Sequence, residues 1–270
     1  MVNDYPQTLT IAGTDSGGGA GIPADVKTMQ MRGTFATMVV VAVTAQNTLG
    51  VQDTLLLPKK IIDEQFASIA ADLKISACKT GMLGDADHVK IVVANLKKYD
   101  FGPLIVDPVM VAKGGAKLLS DDAISTVRDE LIPLASLVTP NIPEAEELTG
   151  ITIKDQTDIK RAAQQLQAMG AKNVLLKGGH ADDPTKADDY ILLEDGNDFW
   201  LTAPRVNTKN THGTGDTISA CITSELAKGY SMEQAIMRGK EYVEATINQG
   251  IHVGHGHGPL NHWVKIKGDD

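Results

Sequence analysis

The chain contains 270 residues, of which 42% are hydrophobic and 22% are charged, and its formal net charge is −9. A chain of this length can bury one substantial core, so we expect a single domain that spans residues 1–270. The acidic balance provides no basic surface for phosphate backbones, which argues against nucleic acid or an anionic membrane as a partner. The longest apolar run, residues 38–43, is too short to span a bilayer, and the polar first residues lack a signal-peptide pattern. We therefore expect a cytoplasmic protein in which Cys78 and Cys221 are packed, reduced thiols.

The chain begins with a strand, a glycine-rich loop and a helix. Residues 8–12 form a short β-branched run, the sequence GTDSGGGAG follows, and a helix is predicted over residues 24–32. The loop has neither the lysine of a Walker motif nor the G-x-G-x-x-G register, so a standard nucleotide motif is not supported. Its glycines can instead let the backbone lie against a flat ligand. Asp25 then has two interpretations: an inward carboxylate that bonds a ring nitrogen or hydroxyl, or a first-turn acid favoured by the helix dipole.

A second strand carries polar amides at its end. The apolar run over residues 37–44 predicts a strand that is buried on both faces. Gln46 lies just past the carboxyl end of this strand, where α/β proteins bind ligands, and its amide could make a bidentate contact with an aminopyrimidine edge. The alternative is a loop amide that bonds its own backbone.

Asp107 stands at the end of a strand predicted over residues 103–106. Its carboxylate suits Mg²⁺, because hard divalent cations prefer carboxylate oxygens and keep several waters. A turn-forming aspartate before proline is the alternative. The next stretch, residues 111–118, combines lysines with glycines, and we predict a lid over the reacting phosphate there.

Three further polar residues follow strand ends. Asn141 and Glu144 lie three apart across a proline, a spacing that starts a helix with an asparagine cap. The same spacing points an amide and a carboxylate toward a possible metal–water shell. Lys177 ends another strand, where it could meet phosphate or remain an exposed strand-end lysine.

The remaining elements continue the alternation of strands and helices. A hairpin predicted over residues 188–202 should sit at a sheet edge. The glycine- and histidine-rich residues 254–259 lack accompanying carboxylates or cysteines at ligand spacing, which disfavours a metal site. The other predicted elements are helices over residues 59–73, 85–99, 121–131, 157–169, 217–228 and 232–248, and strands over 77–82, 137–139 and 173–177.

The sequence NTHGTGDT, residues 210–217, places small residues just before a helix. The first turn of a helix has unpaired N–H groups and a positive dipole end, so an anion can bind there, close to Gly213 and Gly215. Asp216 would then stand beside the anion, a position that suits a base for an attacking hydroxyl. A capped helix start with a glycine turn is the structural alternative. The strand-end residues should meet at one edge of a mostly parallel sheet, and their chemistry together describes phosphoryl transfer to a small alcohol.

Seven blocks of the chain, in order, resemble the hydroxymethylpyrimidine and phosphomethylpyrimidine kinases of thiamin synthesis, members of the ribokinase-like superfamily. The resemblance runs from about residue 8 to about residue 262. The blocks are IAGTDSGGGAGI at 11–22, AQNT at 45–48, KTGML at 79–83, DPVM at 107–110, TPNIPE at 139–144, KGGH at 177–180 and NTKNTHGTG at 207–215.

This resemblance implies a three-layer α/β/α ribokinase-like fold with a mostly parallel central sheet, commonly dimeric. It implies a kinase that uses ATP and Mg²⁺ to phosphorylate a hydroxymethyl group on a pyrimidine or pyridine ring, with no nucleic-acid partner. By position, Asp216 is the base, with Gly213, Thr214 and Gly215 as the anion hole. The other implied contacts are Gly13, Asp25, Gln46 and Met82 with the ring, Asn141, Lys177, Thr211 and Gly213 with ATP, and Asp107 and Glu144 with the metal.

One residue departs from the resembling family. Thiamin-branch members and their close pyridoxal-kinase relatives commonly have cysteine where this chain has Asp216, whereas sugar kinases of the superfamily and another pyridoxal-kinase branch have aspartate. A carboxylate near Mg²⁺ can still accept the alcohol proton. The predicted function is phosphorylation of hydroxymethylpyrimidine and of its monophosphate, and the alternatives are a pyridoxal or pyridoxine kinase, a kinase with both activities, or a non-catalytic binding protein.

Overall fold

The computed structural model describes residues 4–110, 119–178 and 185–269. Its strands follow the apolar and β-branched runs of the sequence, and each ends where a glycine, proline or polar residue begins a loop. The strands are β1 (Gln7–Gly13), β2 (Phe35–Asn47), β3 (Gly50–Leu56), β4 (Ile75–Thr80), β5 (Leu104–Val106), β6 (Leu137–Val138), β7 (Val174–Leu176), β8 (Asp189–Leu192) and β9 (Asp198–Leu201).

All nine strands pair in one sheet of order β3-β2-β1-β4-β5-β6-β7-β8-β9. The pairs from β2 to β7 are parallel, and the antiparallel pairs β2–β3, β7–β8 and β8–β9 lie at the two edges. The mostly parallel sheet is therefore confirmed, as is the hairpin at its edge. The order of strands reverses between β1 and β4, which makes this the topological switch point where α/β proteins commonly bind ligands.

Helices cover both faces of the sheet, which gives three layers. This follows from the right-handed crossover rule: β2 is added on one side of β1 and β4 to β7 on the other side, so their connecting helices lie on opposite faces of the sheet. Helices α2 to α6 share one apolar core with the sheet, while α7 and α8 share a second core and α1 packs against α7. The helices are α1 (Gly21–Met31), α2 (Lys59–Asp72), α3 (Ala86–Lys98), α4 (Asp121–Thr126), α5 (Ile142–Thr149), α6 (Gln156–Ala168), α7 (Thr214–Ala227) and α8 (Met232–Asn248).

Two sequence predictions need correction. Strand β2 is not buried on both faces, because Met38 is 41% exposed and Val43 is 44% exposed. Strand β2 lies next to the edge strand β3, which the sequence analysis did not predict, and β3 itself is largely exposed. The helix predicted over residues 121–131 is α4 followed by a wider π turn over Val127–Leu131. The predicted lid, residues 111–118, lies outside the described residues.

Three other sequence expectations can be compared with the structure. Cys78 and Cys221 are buried free thiols, and burial raises the pKa of each to about 12. Among the described helices, none is long and apolar enough to cross a membrane. The single domain over residues 1–270 stays a prediction.

A buried ion cluster joins α1 to α7. The fully buried carboxylate of Glu225 on α7 accepts hydrogen bonds from Arg32, which follows α1, and from Arg238 on α8, at 2.8 and 2.9 Å. Lys228 also contacts Glu225 at 2.8 Å, and Asp269 pairs with both arginines. Because α1 carries Asp25 and α7 carries Asp216, this cluster fixes two helices that bear predicted site residues.

We predict that Glu225→Gln lowers the free energy of unfolding by about 3 kcal/mol, because breaking a buried ion pair leaves charges without compensation. Urea denaturation monitored by circular dichroism measures the loss. The matched control is Glu194→Gln, which removes a pair between Glu194 and Lys172 whose side chains are 64% and 60% exposed. That variant should change stability by less than about 1 kcal/mol. Equal losses in the two variants would contradict a special role for the buried cluster.

Candidate active site

The polar residues predicted from the strand ends lie at one edge of the sheet. Described contacts link them across the edge: His212 lies within 3.3 Å of Gln46, and Lys177 lies 3.0 Å from Asp107. Lys177 also forms an isolated bridge with Asn141. The carboxyl ends of the parallel strands and the start of α7 therefore form one continuous candidate site.

Asp15 organises the glycine-rich loop after β1. Its carboxylate accepts hydrogen bonds from the backbone N–H groups of Gly17, Gly19 and Ala20 at 2.7, 3.0 and 3.0 Å. His212 adds a fourth contact at 3.0 Å. Although burial opposes the ionised carboxylate, these hydrogen bonds outweigh it and lower the pKa of Asp15. The loop N–H groups that could have held a phosphate are thus already committed to a protein carboxylate.

Gln46 lies at the end of β2, and its side chain is open to a ligand. The carboxylate of Asp15 can only accept, so the Nε2 atom of His212 must donate to it. That nitrogen cannot also accept a hydrogen bond from Gln46, whose Nε2 atom is 3.3 Å away. The Thr44 hydroxyl, which donates its proton to the carbonyl of Thr14 at 2.7 Å, lies 3.1 Å from the oxygen of the Gln46 amide.

Gly13 and Met82 form an apolar floor beside Gln46. The backbone N–H of Gly13 donates to the carbonyl of Met82 at 2.9 Å. A Cβ atom at position 13 would lie only 2.5 Å from the methyl carbon of Met82, so glycine is needed for this contact. The half-buried Met82 side chain is thereby held where a flat ring could pack on it.

Asp25 occupies a different position from the one predicted. It is fully buried, and its two oxygens accept hydrogen bonds from Thr10 and Lys79, both at 2.6 Å. Neither oxygen is exposed toward the edge of the sheet, so this geometry does not support a direct contact with a ring. Asp25 instead pairs with Lys79, a residue for which the sequence analysis assigned no role.

The start of α7 is built to hold an anion. Gly213 caps the helix with φ = 81°, and a Cβ atom there would lie 2.1 Å from the carbonyl oxygen of Gly19. The first intrahelical bond of α7 is donated by Thr217, so the N–H groups of Thr214, Gly215 and Asp216 have no acceptor within the helix. The Thr214 hydroxyl donates to the carbonyl of Thr211 at 2.7 Å, which fixes the approach to the helix. These N–H groups and the helix dipole favour a phosphate oxygen.

Asp107 faces this helix start. One carboxylate oxygen accepts from Lys177 at 3.0 Å and from Thr139 at 3.2 Å, whereas the other is buried without a hydrogen-bond partner among the described residues. The unpartnered oxygen lies 3.0 Å from the position of a Cβ atom on Gly215. Burial alone would lower the pKa of Lys177, but the negative charges of Asp107 and Glu144 outweigh it and raise that pKa.

Asn141 and Glu144 form the predicted capping box. The Asn141 side chain accepts from the N–H of Glu144 at 2.9 Å, and the Glu144 carboxylate accepts from the N–H of Asn141 at 2.8 Å. Burial raises the pKa of Glu144 to about 7, with Asp107 adding to the shift and Lys177 opposing it. The structural interpretation of this pair is confirmed, and it leaves one Glu144 oxygen without a capping role.

The donor set fits a magnesium ion only with help from a ligand. The described residues contain no cluster of three metal-ligating side chains. The unpartnered oxygen of Asp107 is a suitable hard donor. The Glu144 carboxylate lies close enough to Asp107 for the two charges to interact, and it is the second candidate donor. Mg²⁺ commonly binds through one or two carboxylates together with phosphate oxygens and water, which is what these residues could provide.

Sequence reasoning missed Asp15, His212 and Lys79 as parts of the site. Local sequence offers little signal for Asp15, which lies between Thr14 and Ser16, or for Lys79, which lies between Cys78 and Thr80. Among the described residues, the histidines of residues 254–259 form no ion pair with a carboxylate. Instead the backbone N–H groups of His255 and His257 donate to Thr48, at 3.2 and 2.9 Å, and this holds the turn that follows Gln46.

Comparisons with known proteins identify the family of the chain. The family model described as phosphomethylpyrimidine kinase matches residues 15–261. The hydroxymethylpyrimidine/phosphomethylpyrimidine kinase of Haemophilus influenzae is 52% identical over 265 residues, which cover 97% of this chain and 98% of that protein.

Solved structures give the same result for the fold. The phosphomethylpyrimidine kinase of Clostridium difficile superposes with a TM-score of 0.78 at 43% identity, covering 88% of this chain and 97% of that one. The pyridoxal kinase of Bacillus subtilis, solved as an ADP complex, superposes with a TM-score of 0.89 at 33% identity, covering 96% and 98% of the two chains. The predicted ribokinase-like fold is confirmed, and the chain belongs to the phosphomethylpyrimidine kinase family.

Proposed function

We propose that this protein transfers the γ-phosphoryl group of ATP to the hydroxymethyl group of 4-amino-5-hydroxymethyl-2-methylpyrimidine, and then phosphorylates the resulting monophosphate, in thiamin biosynthesis or salvage. One observation carries the proposal. The first turn of α7, whose N–H groups have no acceptor within the helix, adjoins the unpartnered oxygen of Asp107 at Gly215, and Asp216 belongs to the same turn. An anion site, a metal-binding carboxylate and a base in one place are the requirements of phosphoryl transfer.

The chemical step follows from these positions. The oxygen of the hydroxymethyl group attacks the γ-phosphorus, its proton passes to the Asp216 carboxylate, and the bond from the γ-phosphorus to the ADP oxygen breaks. The N–H groups of residues 214–216 stabilise the charge on the transferring group. Asp107 and Glu144 would hold Mg²⁺, which would neutralise phosphate charge. Asn141, Lys177 and Thr211 would bind the nucleotide.

The acceptor ring would lie on the floor made by Gly13 and Met82. The Gln46 amide would hydrogen-bond the edge of the ring, because an aminopyrimidine offers a ring nitrogen that accepts and an amino group that donates. The high identity to a hydroxymethylpyrimidine/phosphomethylpyrimidine kinase supports this acceptor. We place the enzyme in the cytoplasm.

A pyridoxal or pyridoxine kinase, alone or combined with the first activity, is the second candidate. The fold match to a pyridoxal kinase in complex with ADP favours it and also supports ATP as the donor. The retained Asp107 and Asp216 argue against a non-catalytic binding protein, because binding alone needs no base beside a phosphate.

We also propose a homodimer. Strands β2 and β3 expose large apolar side chains at one edge of the sheet, and such patches mark protein contacts. Sedimentation equilibrium measures the assembly state directly. The exposed residues are Phe35, Met38, Val43, Val51 and Leu55, with exposed fractions from 39% to 66%.

Coupled measurement of ADP release tests the acceptor. Hydroxymethylpyrimidine, its monophosphate, pyridoxal and pyridoxine are compared under the same ATP and Mg²⁺ concentrations. We expect the highest kcat/KM with the two pyrimidines, and we expect removal of Mg²⁺ by chelation to abolish turnover reversibly. Turnover of none of the four compounds would refute the catalytic function.

Asp216→Asn should lower kcat by about two to four orders of magnitude, because the variant cannot accept the alcohol proton. Nucleotide affinity should remain within about threefold of the original value, since the helix N–H groups are unchanged. Isothermal titration with ADP and steady-state kinetics separate the two effects. Near-normal kcat in this variant would remove Asp216 from the mechanism.

Gly215→Ala should lower kcat by about 100-fold while the protein remains folded, because small displacements of reacting groups carry penalties of this size. The added methyl group would lie 3.0 Å from the Asp107 oxygen and 3.5 Å from the Lys177 ammonium. The matched control is Gly250→Ala, whose methyl group would have no neighbour closer than 3.4 Å. Circular dichroism checks folding for both, and equal kcat values would show that the space in front of Gly215 is not used.

A further inference from the structure

Lys79 is a charged residue in the interior of the sheet. It lies on β4, next to the switch point, and its side chain is fully buried. Removing an ammonium group from water is costly unless carboxylates compensate for it, so a lysine at this position needs identified partners. The proposed reaction does not yet use it.

The first partner is Asp25 on α1. The Lys79 ammonium donates to one Asp25 oxygen at 2.6 Å, and the Thr10 hydroxyl donates to the other at the same distance. Both oxygens of Asp25 are therefore fixed, and the ammonium is held at a defined point beneath the edge of the sheet.

The second partner is the proposed base. The Lys79 ammonium lies 3.7 Å from an oxygen of Asp216, whose side chain is 13% exposed. A Cβ atom on Gly81 would lie 3.7 Å from that oxygen and 3.8 Å from the ammonium, so glycine leaves the space between the two charges open. The Lys79 ammonium thus lies between the buried carboxylate of Asp25 and the partly exposed carboxylate of Asp216.

The charges that act most strongly on Lys79 are carboxylates. They are Asp25 from α1, Asp216 from α7 and Asp107 from the end of β5. Burial alone would lower the pKa of Lys79, but these carboxylates outweigh it and raise the pKa above its ordinary value. The lysine therefore stays charged at neutral pH.

We propose that Lys79 is a positioning residue for phosphoryl transfer, which holds the Asp216 carboxylate at the acceptor alcohol from beneath the site. This inference rests on the proposed function, because it assigns Asp216 the role of base. It also explains how a carboxylate can stand beside phosphate: the ammonium offsets the repulsion. Asp25 then acts as the anchor of Lys79.

Lys79 keeps a carboxylate partner through the reaction. Before transfer its ammonium contacts Asp25 and lies beside Asp216. When Asp216 takes the alcohol proton, Lys79 keeps Asp25 as its partner.

The test is a double variant, Asp25→Asn with Lys79→Met, which removes both buried charges together and leaves neither unpaired. We expect a folded protein with an ATP KM within about threefold of the original and a kcat lower by about 10- to 100-fold. The loss should fall on kcat and leave nucleotide binding intact, because the variant changes the position of Asp216 and none of the groups proposed to bind ATP. A kcat within twofold of the original, or a loss confined to the ATP KM, would overturn the inference.

A second variant covers the case in which the double variant does not fold. Lys79→Arg keeps the cation and its pairing with Asp25 but replaces the compact ammonium by a broad planar group. We expect a folded protein with kcat lowered by about tenfold and an unchanged ATP KM, and full activity would overturn the positioning role. Failure of the proposed function has a different signature, since the original chain would then turn over none of the acceptors.

Discussion

The site depends on the attraction between two lysines, Lys79 and Lys177, and the carboxylates clustered around them. Asp107, Glu144 and Asp216 lie at the edge of the sheet where a phosphate would bind, and Asp25 is buried beneath them. These carboxylates would repel one another and the phosphate. The carboxylates of Asp107 and Glu144 both stabilise the charge of Lys177. Those of Asp25 and Asp216 both stabilise the charge of Lys79. Each lysine therefore offsets the negative charge of the carboxylates beside it. This allows those carboxylates to lie close to a bound anion.

The topology explains why these groups meet. The direction of strand order reverses between β1 and β4, so the loops after the two strands separate and leave space at the edge. Lys79 lies on β4 beside this point, and helix α1, which carries Asp25, leaves from the same point. Helix α7 returns Asp216 to the same place from the far end of the chain, and the buried bonds of Glu225 with Arg32 fix α7 against the end of α1. The geometry of the base is thus determined by packing as well as by local sequence.

Most elements of the fold could be predicted because their signals are local. The hairpin of β8 and β9 is predicted by a turn of acidic residues, glycine and asparagine between two alternating segments. The start of α5 is predicted by the spacing of Asn141 and Glu144, which is typical of a capping box. The position of Asp107 followed from a rule about strand ends. The exposed face of β2 could not be predicted, because an apolar run does not reveal whether a helix or solvent covers each face.

The contacts that sequence reasoning missed are those between distant segments. Lys79 bonds a residue 54 positions earlier, and His212 bonds Asp15 across 197 positions. A single lysine in a short strand is compatible with a solvent-exposed position, and only the three-dimensional arrangement shows that its charge is buried and paired. For the same reason Asp25 was assigned to the ligand, whereas both of its oxygens are used inside the protein.

The aspartate at position 216 also has a consequence for the acceptor. A thiol at this position could add to the aldehyde of pyridoxal, but a carboxylate can only act as a base or a charge. The two cysteines of the chain cannot replace it, because both are buried and the pKa of each thiol is raised to about 12. A carboxylate that is ionised beside phosphate needs a fixed cation nearby, and Lys79 is placed to supply that charge. Asp216, which the sequence analysis expects to depart from the resembling kinases, therefore lies beside a buried cation that can offset its charge, and the proposed base depends on the interior of the fold as well as on its own segment.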